Sequence, residues 1–480
     1  MFKIALFLSF LILISVKEGY GSSEQGSVKD RAKQIENLLK QPQQKGQQPQ
    51  KATPRPLPTP HGHISSQANI QKEIDKSEQQ QKSPDRPTQP LPSSKPVLRG
   101  GNTRHGCQKA PAPGHVRILA IDGGGVRGLI PATVIAQLEK DLGLSITKVF
   151  DVFVGNSAGG MLALLITKPG TDPKTPEFTG TQIVEKIKEI SAKIFGGVQK
   201  TTLDKAKATV KKAKNLLTTG AQYDPEVLEK VAAEICGNIT LSQAVKPTFI
   251  ATFDLNSETT QILSTPLAIR SKLFDFKIAD IARATSAAPF YFPVHPLEFT
   301  NNEKGTGLKM QLIDGGVGSN NPTLIGLMDV SKEYCTVPTY EVLSLGTGTT
   351  KHHFEKKDMR RKGSPFMMLS PTIDGFMSAQ SQNADEATKE FLNVLNSFNE
   401  GQENNYTRLQ VTLQKEDKKL DDVREQTTEN LTRKAQEIIG SSQYEKIVKR
   451  LKKQLCKEGI YQKENMHDKM CPARGDGSTK

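Results

Sequence analysis

Val116-Arg117-Ile118-Leu119-Ala120-Ile121-Asp122-Gly123-Gly124-Gly125 is a compact apolar run that ends abruptly in an acidic residue and three glycines. Such a run reads as a buried strand entering a glycine turn. Leu129 to Leu142 follows with Ile130, Val134, Ile135 and Leu138 at helical spacing, and Pro131 falls in the first turn, where a missing N–H does no harm. Strand, glycine turn and helix are then repeated. Val149 to Val154 reads as a second strand, Gly155-Asn156-Ser157-Ala158-Gly159-Gly160 as the turn, and Met161 to Thr167 as a helix apolar enough to be buried.

Further apolar runs recur at Thr248 to Phe253, Met310 to Ile313 and Tyr340 to Leu345, and Tyr406 to Leu413 alternates like a final strand. Helical stretches lie among and after them, at Ile183 to Phe195, Pro225 to Cys236, Gln426 to Ile439 and Tyr444 to Cys456. Strands alternating with helices define an α/β fold with a mostly parallel central sheet and helices on both faces, in three layers. Lys200 to Lys214 reads as a solvated helix. In Tyr444 to Cys456 the residues Ile447, Val448, Leu451 and Leu455 form one apolar stripe, which suits packing on its own domain better than a membrane surface.

The ends of the chain differ from its middle. Lys3 followed by the short apolar stretch Ile4 to Val16, with Gly19 and Gly21 beyond, reads as a signal peptide over residues 1–21, so a secreted or exported protein is expected. Residues 22–113 are rich in Gln, Pro, Lys and Ser, with a short helix allowed at Val28 to Leu39; such a basic arm buries too little apolar surface to fold. The catalytic-type domain is expected over 114–440, and a C-terminal helix with a frayed tail over 441–480. The net charge of +14 is partly carried by the arm and suits a solvated linker or weak attraction to anionic lipid. Nucleic acid is not expected, since neither zinc-finger spacing nor an RNA-recognition signature is present. The five cysteines, Cys107, Cys236, Cys335, Cys456 and Cys471, are too few for a disulfide-built fold and do not identify a compartment; only Cys456 and Cys471 are close in sequence, and Cys236 and Cys335 read as core thiols. No Cys/His cluster has metal-ligand spacing, so no metal and no cofactor are expected. Asn238, Asn405 and Asn430 head Asn-x-Thr triplets, and Arg474-Gly475-Asp476 in the tail is short enough to arise by chance.

Three stretches carry chemistry. Gly155-x-Ser157-x-Gly159 between a buried strand and an apolar helix is the setting of a nucleophile elbow, in which a sharp turn projects the serine hydroxyl above the sheet and Gly155 and Gly159 leave room for it. Gly123, Gly124 and Gly125 offer backbone N–H groups to a developing oxyanion, with Arg127 as a brace for the loop or a contact for an anionic head group. Gly123, Gly125 and Gly128 also fit a dinucleotide-binding pattern, but that reading leaves the serine turn unexplained. Asp314-Gly315-Gly316 places a carboxylate at a strand end, where a turn-making role is the plain alternative.

In this order the set Asp122-Gly123-Gly124-Gly125-Val126-Arg127-Gly128, Gly155-Asn156-Ser157-Ala158-Gly159 and Asp314-Gly315-Gly316 resembles the patatin-like phospholipases. Val149 to Val154, Ala284-Thr285-Ser286-Ala287-Ala288-Pro289, Asn320-Asn321-Pro322 and Leu343-Ser344-Leu345-Gly346-Thr347-Gly348 resemble further blocks of that family, so the likeness spans Val116 to Ile439. It implies a lipid acyl hydrolase of phospholipase A type, without calcium, in which Ser157 is the nucleophile, Asp314 its base and Gly123, Gly124 and Gly125 the oxyanion hole. It also implies a membrane phospholipid or other acyl lipid as substrate, transient contact with a membrane surface and, for some exported members, a host activator. Asn156 stands where many members carry Thr, a difference expected to have little consequence. Two other readings remain: a Ser-Asp-His esterase using His352, His353 or His467, with His295 structural, and a non-catalytic storage or membrane-binding protein of the same fold.

Overall fold

The computed structural model describes residues 115–196, 215, 220–301, 306–334, 339–349, 366–398, 403–464, 466 and 470–471. The signal-peptide and basic-arm expectations, the Lys200–Lys214 helix, Cys107, Cys335 and the Arg474-Gly475-Asp476 triplet lie outside the described residues, as do His352, His353 and His467.

The expected alternation is present and builds one sheet. Its strands are β1 (Val116–Ile121), β2 (Val152–Asn156), β3 (Thr248–Asp254), β4 (Thr259–Ser264), β5 (His295–Asn301), β6 (Thr306–Asp314), β7 (Tyr340–Leu345) and β8 (Asn405–Leu409). They lie in the order β5-β6-β3-β2-β1-β7-β8, with β4 pairing β3 off that path. The five strands β3, β2, β1, β7 and β8 run parallel, whereas β4 and β6 pair β3 antiparallel and β5 pairs β6 antiparallel. The sheet is thus mostly parallel with an antiparallel margin, and β6 brings its C-terminal end back beside the interior strands.

Alternation along β1 divides the core into two layers, as the two-residue period of a strand requires. Val116, Ile118 and Ala120 pack with Val152, Val154, Val342 and, from the helices α6 (Thr323–Glu333) and α7 (Phe366–Phe398), with Leu327, Val330 and Leu392. Leu119 and Ile121 point the other way, into a larger core with α1 (Leu129–Leu142), α2 (Ser157–Thr167), α3 (Gly180–Phe195), α4 (Pro225–Cys236), α5 (Ile278–Thr285), α8 (Glu425–Ile439) and α9 (Ser442–Lys457). Helix α2 is apolar all round because it is enclosed by the sheet and its helical neighbours. Among the described residues no helix is long and apolar enough to cross a membrane.

The apolar stripe of α9 is buried: Ile447, Leu451 and Leu455 join the larger core, and its basic face is left outward. Cys456, at the end of α9, forms a disulfide with Cys471 across a Cα–Cα distance of 5.7 Å. Cys236 is a buried free thiol, as its apolar surroundings led us to expect. At the second strand the boundary moves: Ile146–Val149 is a helical turn, and the strand begins only at Val152.

Candidate active site

Ser157 is the first residue of α2 and follows β2 directly. Its φ of 48° lies in the left-handed region, which is costly for a residue carrying a Cβ. The surroundings hold it there. The Ser157 N–H donates to Thr285 Oγ1 (2.8 Å), and that hydroxyl donates to the Ala251 carbonyl (2.7 Å). So tight a turn admits no side chain on either flank. A Cβ on Gly155 would strike the Gly159 carbonyl, and one on Gly159 would strike the carbonyls of Ile121 and Asp122.

Asp314 ends β6 and is buried beside the serine. Its Oδ1 accepts the Gly316 N–H at 2.8 Å, and its own N–H donates to the Ala287 carbonyl at 3.0 Å. Burial pushes the carboxyl up to about 6, against the opposing effect of hydrogen bonds from the Ser157 side chain and the Gly316 N–H. The elbow and the Asp-Gly-Gly turn, far apart in sequence, thus bring Ser157 and Asp314 to the same cavity, with the serine side chain within hydrogen-bonding reach of the carboxyl. Gly315 packs against the Ala251 carbonyl, which excludes a side chain there.

The glycine turn lies over the same place. Gly124 and Gly125 line a cavity of about 490 Å³ together with Ser157, Ala158 and Asp314. Their N–H groups make no hydrogen bond among the described residues, and Ala158, in the first turn of α2, has no intrahelical acceptor for its own. Gly123 differs. Its N–H donates to the Asn320 carbonyl at 3.3 Å and its carbonyl accepts from Thr347 Oγ1 at 2.5 Å, so it anchors the turn from behind and does not line the cavity. Arg127 is buried, with Nε directed to the Gly124 carbonyl at 3.4 Å, which makes it a brace for the loop. Asp122, just before the turn, is held by Arg408 (Nη1 to Oδ1 3.1 Å, Nη2 to Oδ2 2.5 Å) and by Ser381 Oγ (3.2 Å). This fully hydrogen-bonded ion pair fixes the end of β1.

The rest of the cavity is mostly apolar, with Ser191, Ser286 and Gln380 as polar exceptions. Met161 of α2, Ile187, Ile190 and Ile194 of α3, and Leu228 of α4 form the walls with Phe290, Tyr291 and Phe292. Phe290 is itself left-handed, at φ 68°. Leu420 closes one side; its carbonyl accepts the Val126 N–H at 2.9 Å. Val317 and Phe376 border the cavity and are largely exposed. A pocket of this size and lining, with few polar groups gathered at one point, suits a long hydrocarbon ending in a polar reacting group. His295 does not line it; burial, with the nearby Arg283 charge, pulls its imidazole down to about 4 and leaves it neutral near pH 7. Among the described residues no group of three or more His, Cys, Asp or Glu is placed to hold a metal ion.

A left-handed serine at a strand-to-helix turn, beside a buried carboxylate and a glycine loop, is the kind of arrangement a serine hydrolase on an α/β sheet requires. Comparison with known proteins narrows the class. The family model described as patatin-like phospholipase matches residues 119–327. "Patatin-like protein 2" of Oryza sativa subsp. indica is 32% identical over 355 residues, covering 68% of this chain and 84% of that one. "Patatin-like protein 2" of Arabidopsis thaliana is 32% identical over 379 residues (73% and 88%). "Patatin-T5" of Solanum tuberosum is 29% identical over 372 residues (71% and 89%). The chain belongs to the patatin-like phospholipase family, whose general chemistry is the hydrolysis of lipid acyl esters.

Proposed function

We propose that this protein is an exported phospholipase A-type acyl hydrolase, in which Ser157 forms an acyl-enzyme and Asp314 moves the proton. The observation that carries this reading is the placement of Ser157 beside the buried Asp314 carboxyl in a mostly apolar cavity. Asp314 takes the hydroxyl proton as Ser157 Oγ attacks the ester carbonyl carbon. The carbonyl oxygen becomes an oxyanion, for which the N–H groups of Gly124, Gly125 and Ala158 are the available donors. When the tetrahedral intermediate collapses, the C–O bond to the glycerol oxygen breaks and the leaving alkoxide takes the proton from Asp314, so a lysolipid departs. A water molecule, deprotonated by Asp314, then attacks the acyl-enzyme carbonyl; the bond to Ser157 Oγ breaks, Ser157 Oγ recovers the proton from Asp314, and the fatty acid leaves. Nearly all of this machinery is preorganised by backbone, which suits the electrostatic stabilisation of a charge that exists only in the transition state.

The acyl chain would occupy the space between α3, α4 and Phe290, with the head group at the open side by Val317 and Phe376, where transient contact with a membrane surface supplies substrate. The Cys456–Cys471 disulfide supports export, because such bonds persist in oxidising compartments. The test is lipid mass spectrometry of phospholipid vesicles treated with wild type and Ser157→Ala, each with and without host-cell lysate to supply any activator. Fatty acid and lysolipid are expected from the wild type only. Equal product from both proteins, or none from either in all conditions, overturns the proposal.

A further inference from the structure

Asn156 precedes the candidate nucleophile and is fully buried. Its side chain does not cap α2. Instead its Nδ2 donates to two successive carbonyls, those of Ser319 and Asn320 (the latter at 3.0 Å). Those carbonyls belong to the stretch that leaves Asp314, just past Gly315 and Gly316. The Asn320 carbonyl also accepts the Gly123 N–H. Three chain segments therefore converge on it: the glycine turn after β1, the elbow after β2 and the Asp314-bearing segment after β6.

Two details show that this junction is a specific arrangement. First, Asn156 Oδ1 and Asn320 Oδ1 are both buried without a hydrogen-bond partner, and both lie against Gly123, where a Cβ would collide with the former. A buried acceptor left unsatisfied is unfavourable and calls for a compensating role. Second, a threonine, one hydroxyl on a shorter branch, has a single donor and cannot serve two carbonyls. An asparagine is needed for the double link.

We infer that Asn156 is a positioning residue that sets the distance between Ser157 and Asp314 by tying the elbow to the Ser319–Asn320 backbone. This rests on the hydrolase reading above. It also revises the expectation that asparagine in place of threonine has little consequence. The link carries no reacting group; its effect passes through the contact between the serine hydroxyl and the carboxylate. That contact holds the Asp314 carboxyl below the value burial alone would give it. Loosening the link weakens the contact, so the Asp314 carboxyl rises and the rate near neutral pH falls.

The experiment compares Asn156→Thr and Asn156→Ser with wild type, measuring kcat, KM, the pH profile of kcat/KM, the rate of fluorophosphonate labelling at Ser157 and the melting temperature. With the fold kept, the expected result is a fall in kcat of about 10- to 100-fold, as misplacement of reacting groups by an ångström or less produces. KM stays within about twofold, because neither carbonyl touches the cavity that binds the acyl chain. The acidic limb of the pH profile moves to higher pH, a shift that a merely structural role does not cause. Both variants folded, with wild-type kcat and an unmoved limb, overturn the inference. So do two variants that melt far below wild type, since that assigns Asn156 to core stability. A wild type that neither hydrolyses lipid nor takes the fluorophosphonate removes the hydrolase reading and this inference with it, whereas an active wild type matched by both variants removes this inference alone.

Discussion

Ionised Asp314 is a liability to the fold, and replacing it should make the protein more stable at neutral pH. Burial lifts its carboxyl from an ordinary 3.8 to about 6. In the folded state the group therefore holds a proton, between those two values, that the unfolded chain has already released. Stability is then greatest below the lower value and declines as pH rises through the window, with the full penalty present above about pH 6. A displacement of about two units corresponds to about 3 kcal/mol at pH 7.5. Asp314→Asn is isosteric, keeps an oxygen for the Gly316 N–H and cannot ionise. Chemical denaturation at pH 7.5 should show it more stable than wild type by up to about 3 kcal/mol, and the gain should vanish at pH 4. The same carboxyl must be ionised to act as a base, so kcat/KM of the wild type should fall below pH ~6. An Asp314→Asn variant less stable than wild type at pH 7.5, or a difference identical at both pH values, would refute the reasoning, for then the carboxylate is well solvated or fully compensated in the folded protein.

Ser157→Gly should abolish hydrolysis yet stabilise the fold by about 1 kcal/mol, because glycine accepts the left-handed backbone that serine adopts at φ 48°; urea titration of the two proteins checks this. Arg408→Met should cost about 3 kcal/mol or more in the same titration, because it strands the Asp122 carboxylate in the interior without its partner. Ile190→Trp, in the wall of the cavity, should lower kcat/KM for palmitoyl esters roughly tenfold or more while sparing butyryl esters, as assayed with p-nitrophenyl substrates.

The parallel half of the sheet was legible chiefly because β1, β2 and β7 are short apolar runs closed by glycine turns. Val116 to Gly125 and the Gly155 to Gly160 turn show strand, turn and helix in one line. Of the antiparallel margin only β6 was legible, through the Met310 to Ile313 run. β4 (Thr259–Ser264) is half solvent-facing and polar, and β5 carries His295 and Pro296, which carry little strand propensity. Helix α7 was hidden for a related reason. Where its side chains are described it buries little, and Ser381 and Thr388 occupy buried positions that an apolar period would have filled. The candidate site residues divide in the same way. Ser157 and Asp314 sit in local patterns that can be read, and Gly155 and Gly159 mark the room that the tight turn at Ser157 needs. The roles of Thr285, Asn320 and Thr347 depend on hydrogen bonds across 128, 164 and 224 residues of sequence, which no local pattern encodes. Likewise, only the folded chain distinguishes Gly123, engaged with Asn320 and Thr347, from its neighbours Gly124 and Gly125.

The position of β7 bears on how this protein can be shortened. The segment 119–327 that the family model recognises contains both Ser157 and Asp314 and ends before Tyr340. Yet β7 lies directly against β1, with β8 beyond it, so a fragment cut at 327 would present the central strand as a bare ladder of unpaired amides. Its fate in solution would be self-association edge to edge, with Ser157 and Asp314 still encoded and no stable platform to hold them.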